Sequence, residues 1–167
     1  MKRAKALTVA IAVLTGVLAV GLAVALTSQA GPSLDAAPIP SGAEACSGEF
    51  WASHPESWEE YDSNVHMAAS LFGPSGPHAD DTLMDALRYT GGEDGDGARQ
   101  TLIRAATVAA LNASHESIKF PLRRYESPPT GGLIPSVRNL LAGNDSKAML
   151  SAAAYLDSYS ALDCPLD

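Results

Sequence analysis

The sequence is poor in basic, aromatic and cysteine residues. Two tryptophans, five tyrosines and three phenylalanines make ten aromatic residues among 167, and there are two cysteines. The formal net charge is −8, and eight of the 11 basic residues lie beyond the first five positions, against 19 acidic residues. A chain with this balance repels phosphate backbones and anionic lipid surfaces. We therefore predict no nucleic-acid partner.

The motifs of common hydrolases and metal enzymes are also missing. The chain has no Gly-x-Ser-x-Gly elbow and no His-Glu-x-x-His pair. Its four histidines, His54, His66, His78 and His115, do not show the local spacing of zinc ligands. We therefore predict no catalytic residue, no metal and no cofactor, and an enzyme is the less favoured functional class.

An uncharged apolar run sets the N-terminus apart. Three basic residues precede residues 6–26, and Ser28-Gln29-Ala30 offers a small-x-small cleavage site. The pattern predicts export through an apolar helix, and the run is long enough for a cleaved signal peptide or an uncleaved anchor. Residues 1–30 are predicted to be one of these two, with the membrane as a partner through 6–26 if they are not cleaved. In either case the remainder faces an extracytoplasmic compartment.

The two cysteines mark the ends of the predicted folded part. Residues 31–45 are rich in proline and small residues and predict a flexible linker, which leaves 46–167 as an extracytoplasmic helical domain. Cys46 and Cys164 lie at the edges of this domain, and an oxidising compartment favours a disulfide between them. The alternative is free thiols or pairing between chains. Loop entropy gives such a bridge about 4–5 kcal/mol of stabilisation.

The domain is predicted to be all-α, a compact unit of about five helices closed by this end-to-end disulfide. Apolar periodicity and turn residues favour helix at 55–61, 64–72, 81–89, 98–115, 135–141 and 146–161. The clearest of these, from Ala98 to His115, carries an apolar stripe of leucine and alanine, and Arg99 and Arg104 can face water. No segment alternates apolar and polar residues for long, so at most a short incidental strand is expected.

The segment from Cys46 to Trp58 is the richest in chemically distinctive residues. Phe50, Trp51 and Trp58 could form an aromatic face for a sugar or a peptide, because aromatic rings offer a large contact area. The alternative is that these rings pack in the core.

A candidate polar site consists of His54, His115 and Asn112. Imidazole can act as an acid, a base or a metal ligand near neutral pH, so two adjacent histidines could serve an enzyme. The alternative is that each ring makes a hydrogen bond that fixes a loop or a helix end. Asn112 begins an Asn-Ala-Ser glycosylation pattern, but its place beside an apolar stripe favours a structural hydrogen bond.

One acidic loop is similar to part of a cation site. Glu93-Asp94-Gly95-Asp96-Gly97 resembles half of a calcium loop, yet Gly92 stands where the first aspartate ligand would be. A solvated acidic turn is the expected structure.

The spacing C-x4-[YF]-W-x2-H-P-x2-W, filled here by Cys46, Phe50, Trp51, His54, Pro55 and Trp58, resembles a module of secreted and surface-attached bacterial and archaeal proteins. That module often opens Cys-Thr-Pro-Gly-Tyr-Trp-Lys-Asn-His-Pro. The resemblance extends through residues 82–87 and 111–115 to 164–166. Glu49 replaces the usual glycine, and Ala52-Ser53 replaces the Lys-Asn pair. The resemblance implies an exported location and a helical architecture, but no activity.

Taken together, these patterns predict an exported, non-catalytic surface or binding module, either secreted or anchored with its domain outside the cell. An extracellular protein or glycan is the expected kind of partner. The alternative is a small extracellular hydrolase-like or metal-dependent enzyme that uses His54 and His115.

Overall fold

The fold is helical, as a computed structural model shows for residues 34, 38–66, 68–73, 77–125 and 131–166. This part contains no strand, which confirms the all-α prediction there. The predicted signal peptide or anchor at 1–30 lies outside the described residues. Among the helices that are described, none has the length and apolar character needed to cross a membrane.

Six α-helices and two short 3-10 helices follow one another along the described chain. The α-helices are α1 Gly48–Ser53, α2 Ala68–Phe72, α3 Leu83–Leu87, α4 Gly95–Ser114, α5 Leu133–Gly143 and α6 Ser146–Asp157. The 3-10 helices are Pro55–Ser57 and Ser158–Ala161.

Helix α4 is the centre of the domain, because it packs against each of the other five α-helices. Its 20 residues include a stripe of small, buried side chains, of which Ala106 and Ala110 are 0% and 1% exposed. Alanine favours helix formation and leaves room for a neighbouring helix to approach closely. Helices α2, α5 and α6 share the larger apolar core with α4.

A second, smaller core surrounds the predicted disulfide, which is confirmed. The Cys46–Cys164 bond joins residues 118 positions apart, and Cys46 is fully buried among Phe50, Trp51 and Leu111. This core holds α1 against α4. The residues just before Cys46 also belong to the fold, since the backbone N–H of Ala45 donates to the carbonyl of Asp163.

The segment from Cys46 to Trp58 differs from its predicted structure. Helix α1 lies before Pro55, with the Ser47 side chain accepting the first-turn N–H of Phe50 at its N-terminus. The predicted helix 55–61 is a single 3-10 turn. A serine cap followed by an acidic residue is a helix-start signal, and the restriction that Pro55 places on His54 ends the helix.

The acidic loop 93–97 is the start of α4, three residues earlier than predicted. The Asp94 carboxylate accepts the Gly97 N–H at 2.7 Å and caps the helix. Asp96 lies in the first turn, where negative charge is favoured by the helix dipole. The acidic cluster therefore has a local role in helix initiation.

Arg99 and Arg104 are half-buried, and both also bind oxygen atoms of the protein. Arg99 donates to the Leu141 carbonyl at 3.3 Å and to Asn144 Oδ1 at 2.8 Å, at the C-terminus of α5. Arg104 donates to the Tyr89 carbonyl at 2.8 Å. Helix and loop ends leave carbonyl groups without partners, and a long cationic side chain satisfies them.

Two glycines in the first turn of α4 differ in the space around them. A Cβ on Gly97 would lie 2.6 Å from the Gly92 Cα, whereas a Cβ on Gly95 would meet nothing within 4 Å. We expect Gly97→Ala to lower the free energy of unfolding by about 1–3 kcal/mol, because backbone must move. Gly95→Ala should raise it by up to about 1 kcal/mol through helix propensity. Chemical denaturation of both variants measures this, and equal midpoints would refute the close contact.

Candidate functional site

A cleft of about 410 Å³ lies beside the C-terminal end of α4. Its walls come from one stretch of chain, namely residues 113–116, 118, 120 and 122–125. The stretch folds back directly after the helix, where the Ile118 N–H donates to the His115 carbonyl at 3.2 Å. Ile118 is 7% exposed, and Phe120 and Leu122 are half-buried. The cleft therefore combines apolar side chains with the polar groups described next.

His115 follows the last residue of α4 and lies in the wall of the cleft. Its side chain is 9% exposed; Nδ1 accepts the Ser117 N–H at 3.2 Å, and Nε2 lies 3.5 Å from Glu59 Oε1. A neutral ring whose Nδ1 accepts carries its hydrogen on Nε2, which faces the carboxylate. The other oxygen of Glu59 accepts the Glu116 N–H at 2.8 Å. Both ring nitrogens of His115 are thus engaged within the protein.

Arg124 is held firmly in the wall of the same cleft. Its guanidinium group binds both carboxylate oxygens of Glu60, in a fork-to-fork arrangement, and donates to the Tyr61 hydroxyl at 3.2 Å. This pairing with Glu60 raises the pKa of Arg124 above its ordinary value. Burial is the main reason that the pKa of Tyr61 is raised as well.

Arg123 and Tyr125 flank this pair and are exposed. No side chain in the described part of the protein pairs with the Arg123 guanidinium, and Tyr125 is 59% exposed. The backbone around them is fixed, because the carbonyls of Arg123 and Arg124 accept the N–H groups of Leu133 and Ile134 at 2.9 and 3.1 Å. These are the first N–H groups of α5, which lack partners within the helix. The start of α5 therefore holds the edge of the cleft in place.

A second, more open cleft of about 470 Å³ includes Glu60 in its wall. It is lined by residues 55, 60–64 and 66. Glu60 has a φ of 62°, which is uncommon for a residue with a side chain. Its ion pair joins this cleft to the first one, because Arg124 lies in the wall of that cleft.

His54 lies apart from His115. It is exposed, its ring stacks on Phe50 with centroids 4.4 Å apart, and Nδ1 lies 3.0 Å from both the Phe50 carbonyl and Ser53 Oγ. Among the residues that the structure describes, no hydrogen bond or ring contact joins the two histidines. His115 instead approaches the Trp51 ring, with centroids 6.0 Å apart. The predicted pair is thus not in direct contact, and each ring packs against a different one of the neighbouring Phe50 and Trp51.

Asn112 lies on α4, next to Cys46 of the disulfide. It is 1% exposed; its Oδ1 accepts the Cys46 N–H at 2.6 Å, while its Nδ2 donates to the carbonyls of Cys46 and Val108, both at 2.9 Å. The amide thus pairs with both backbone groups of one cysteine. An amide held in this way is not accessible to glycosylation.

Two rings of the predicted aromatic face are buried. Phe50 is 8% and Trp51 0% exposed, and both belong to the smaller core. Trp58 is half-buried and donates from its indole to the Trp51 carbonyl at 3.0 Å. These rings therefore pack α1 against the domain. The exposed aromatic residue at a cleft is Tyr125, which lies far along the chain from them.

His78 forms a network that the sequence did not single out. Its side chain is 8% exposed, and its two ring nitrogens lie 3.0 Å from Asp81 Oδ2 and from Asp96 Oδ1. Tyr89 donates to Asp81 at 2.5 Å, and burial followed by this hydrogen bond raises the pKa of Tyr89. The ring lies between the carboxylates rather than beside them. No metal-binding group of three ligands occurs within the described residues.

The hydrogen bonds of Asn112 predict that replacing this one side chain lowers the stability strongly. Asn112→Ala should lower the free energy of unfolding by about 2–4 kcal/mol, because the Cys46 N–H and carbonyl stay buried without their partner. Asn139, exposed on α5, supplies the control, and Asn139→Ala should change the stability by less than about 0.5 kcal/mol. Denaturant unfolding of the oxidised proteins measures both, and equal losses would contradict the role of Asn112.

The His78 network predicts a difference between two histidines. His78→Ala should lower the free energy of unfolding by about 1–3 kcal/mol, because it removes a buried ring and both hydrogen bonds to the partly exposed carboxylates. His54→Ala, on an exposed ring, should cost less than about 1 kcal/mol. Thermal unfolding of the two variants provides the comparison. A more stable His78→Ala protein would show that the network is unfavourable.

Comparison of the chain with known protein families, with curated proteins and with solved structures found no significant match. The resemblance of the Cys46–Trp58 motif to a secreted module therefore stays a prediction.

Proposed function

We propose that this chain is an exported, non-catalytic binding module, either secreted or held at the membrane by residues 6–26. The Cys46–Cys164 disulfide is the observation that carries this proposal. Disulfides between the ends of a domain persist in oxidising compartments outside the cytoplasm. The export-type pattern in the first 30 residues supports the same location.

The state of the polar side chains favours binding over catalysis. His115 has one ring nitrogen on a backbone N–H and the other facing Glu59, so neither directs a lone pair into the cleft. The neighbouring Ser114 hydroxyl donates to the Leu111 carbonyl at 2.8 Å. Both cysteines are in the disulfide, so neither offers a thiolate. These groups do not form the pairing of nucleophile and base that covalent catalysis needs.

The cleft at the end of α4 supplies the binding surface. Its volume of about 410 Å³ falls within the usual range for small-ligand sites. Its accessible lining is mostly polar, with Arg123 and Tyr125 exposed at its edge. A surface of this kind suits a small ligand or the end of a larger extracellular partner.

The proposal is tested by expressing the full chain, with a C-terminal tag, in a prokaryotic host. We expect the protein in the exported fraction, with thiols that react with an alkylating reagent only after reduction. A variant lacking residues 2–26 is the matched control and should stay in the cytoplasm with both thiols reactive.

N-terminal sequencing of the exported protein then separates the two modes of attachment. A start at Gly31 indicates a released protein, and a start in the first residues indicates an anchored one. Full-length protein found in the cytoplasm with reduced cysteines would overturn the proposal.

A further inference from the structure

We propose that the Cys46–Cys164 disulfide is a redox-sensitive switch: an external dithiol breaks it and releases residues 162–166, while the rest of the domain stays folded. We call residues 162–166 the C-terminal strap. The switch is a change of state that goes beyond the proposed function, and it does not depend on what the module binds.

The C-terminal strap has few hydrogen bonds. The Leu162 N–H donates to the Tyr159 carbonyl at 3.0 Å and closes the preceding 3-10 helix. Beyond it, the strap makes one hydrogen bond to the described residues, in which the Ala45 N–H donates to the Asp163 carbonyl at 3.2 Å. Pro165 has no N–H to donate. The covalent bridge is therefore the strongest attachment of the strap.

The apolar contacts of the strap are also limited. Cys164 and Leu166 pack against the smaller core, and both are only half-buried. The apolar area that one half-buried leucine covers is too small to offset the conformational entropy lost when the whole strap is ordered. Without the bridge, the strap therefore detaches and uncovers one side of the smaller core.

Cys46, at the other end of the bridge, is held by groups that do not depend on the disulfide. The Asn112 side chain binds its N–H at 2.6 Å and its carbonyl at 2.9 Å. Two residues before it, the Glu44 carboxylate accepts the backbone N–H of Lys119 at 3.1 Å and its ammonium group at 3.0 Å. Helix α1 begins just after Cys46 and packs against α4. These contacts keep Cys46 in place after the S–S bond is broken.

The larger core is independent of the bridge. Among the described residues, the cluster that joins α4 to α2, α5 and α6 includes neither cysteine and no residue of the strap. Reduction therefore leaves the packing of these four helices as it is. The opening is local, confined to the end of the chain.

The two cysteines differ in their exposure. Cys46 is 0% exposed, whereas Cys164 is half-buried and lies between the exposed Asp163 and Pro165. Exchange with an external thiolate requires access to the sulfur atom that is attacked. The attack therefore occurs at Cys164 Sγ.

The reduction is a two-step exchange with a dithiol. The first thiolate of the dithiol forms a bond to Cys164 Sγ, the bond between the two cysteines breaks, and Cys46 Sγ leaves with the electron pair. The second thiolate of the dithiol then attacks the first dithiol sulfur and releases Cys164 Sγ. The dithiol is oxidised to a disulfide, the bridge gains two electrons, and the two protons of the dithiol end on the two cysteines.

The switch can close again because the strap is short. Cys164 lies three residues beyond Ala161, the end of the last 3-10 helix. That helix is anchored by Tyr159, which is 3% exposed. Three extended residues span at most about 11 Å. The released thiol therefore stays at a high effective concentration near Cys46, and exchange with a small disulfide restores the bridge.

The test uses the full chain, exported and oxidised, labelled with nitrogen-15 and treated with dithiothreitol without denaturant. We expect the amide signals of the strap to move to the positions of an unfolded chain, whereas those of α1, α4 and α6 stay dispersed. Oxidised dithiothreitol should restore the first spectrum. After reduction, iodoacetamide should modify Cys164 at least about tenfold faster than Cys46, because a buried thiol reacts only when the structure opens.

Three variants separate the bridge from the groups that hold Cys46. Cys164→Ser should give the spectrum of the reduced protein without any reductant, with Cys46 still slow to react. In reduced Asn112→Ala protein, Cys46 should react about as fast as Cys164, because its backbone is no longer held. Asn139→Ala, exposed on α5, is the matched control and should behave like the unsubstituted protein.

The proposal is overturned if the reduced protein loses the dispersed signals of α4 and α6, since the bridge would then hold the whole domain. It is also overturned if the strap signals do not move on reduction, or if the two thiols react at equal rates. A bridge that dithiothreitol cannot reduce in the folded protein would show that Cys164 is not accessible, and the switch would be excluded. None of these results affects the export or the binding of the chain.

Discussion

The side-chain amide of Asn112 is the interaction on which the arrangement of this domain depends. It satisfies both the N–H and the carbonyl of Cys46, where the chain enters the core and no water can serve them. A disulfide alone joins two sulfur atoms and leaves the backbone beside them free to rotate. The amide sets the orientation of that backbone, so the bridge and α1 have one position against α4. Burial makes this pairing strong, because losing either bond leaves a desolvated polar group.

A short series of contacts connects α1 to the wall of the cleft. Trp51 fills the smaller core and lies against the His115 ring, which Glu59 and the Ser117 N–H hold from the other sides. Glu59 also binds the Glu116 N–H, so the turn after α4 is fixed by a residue from the segment after α1. The histidine that could have served catalysis is thus a structural part of the cleft wall. Arg123 and Tyr125 are the exposed long side chains at its edge.

The sequence predicted the features that depend on neighbouring residues or on the cellular compartment. The disulfide between Cys46 and Cys164, most of α4 and the start of α6 followed from compartment, periodicity and capping residues. Helix α1 was missed because its six residues carry too few turns for a periodic pattern, although Ser47 is a recognisable cap. The His78 network and the contacts that fix the cleft wall do not follow from the sequence, since each joins residues far apart along the chain. His78 and Asp96 are 18 positions apart, and Arg124 and Glu60 are 64 apart.

Most arginines of this acidic domain satisfy oxygen atoms within the protein. Arg99, Arg104 and Arg138 bind carbonyl oxygens at helix and loop ends. Arg124 is matched by Glu60. Arg88 and Arg123 are exposed and have no side-chain partner among the described residues. The backbone of Arg123 still has a structural role, because its carbonyl and that of Arg124 accept the first N–H groups of α5. These bonds fix the edge of the cleft at the start of a helix that packs against α4.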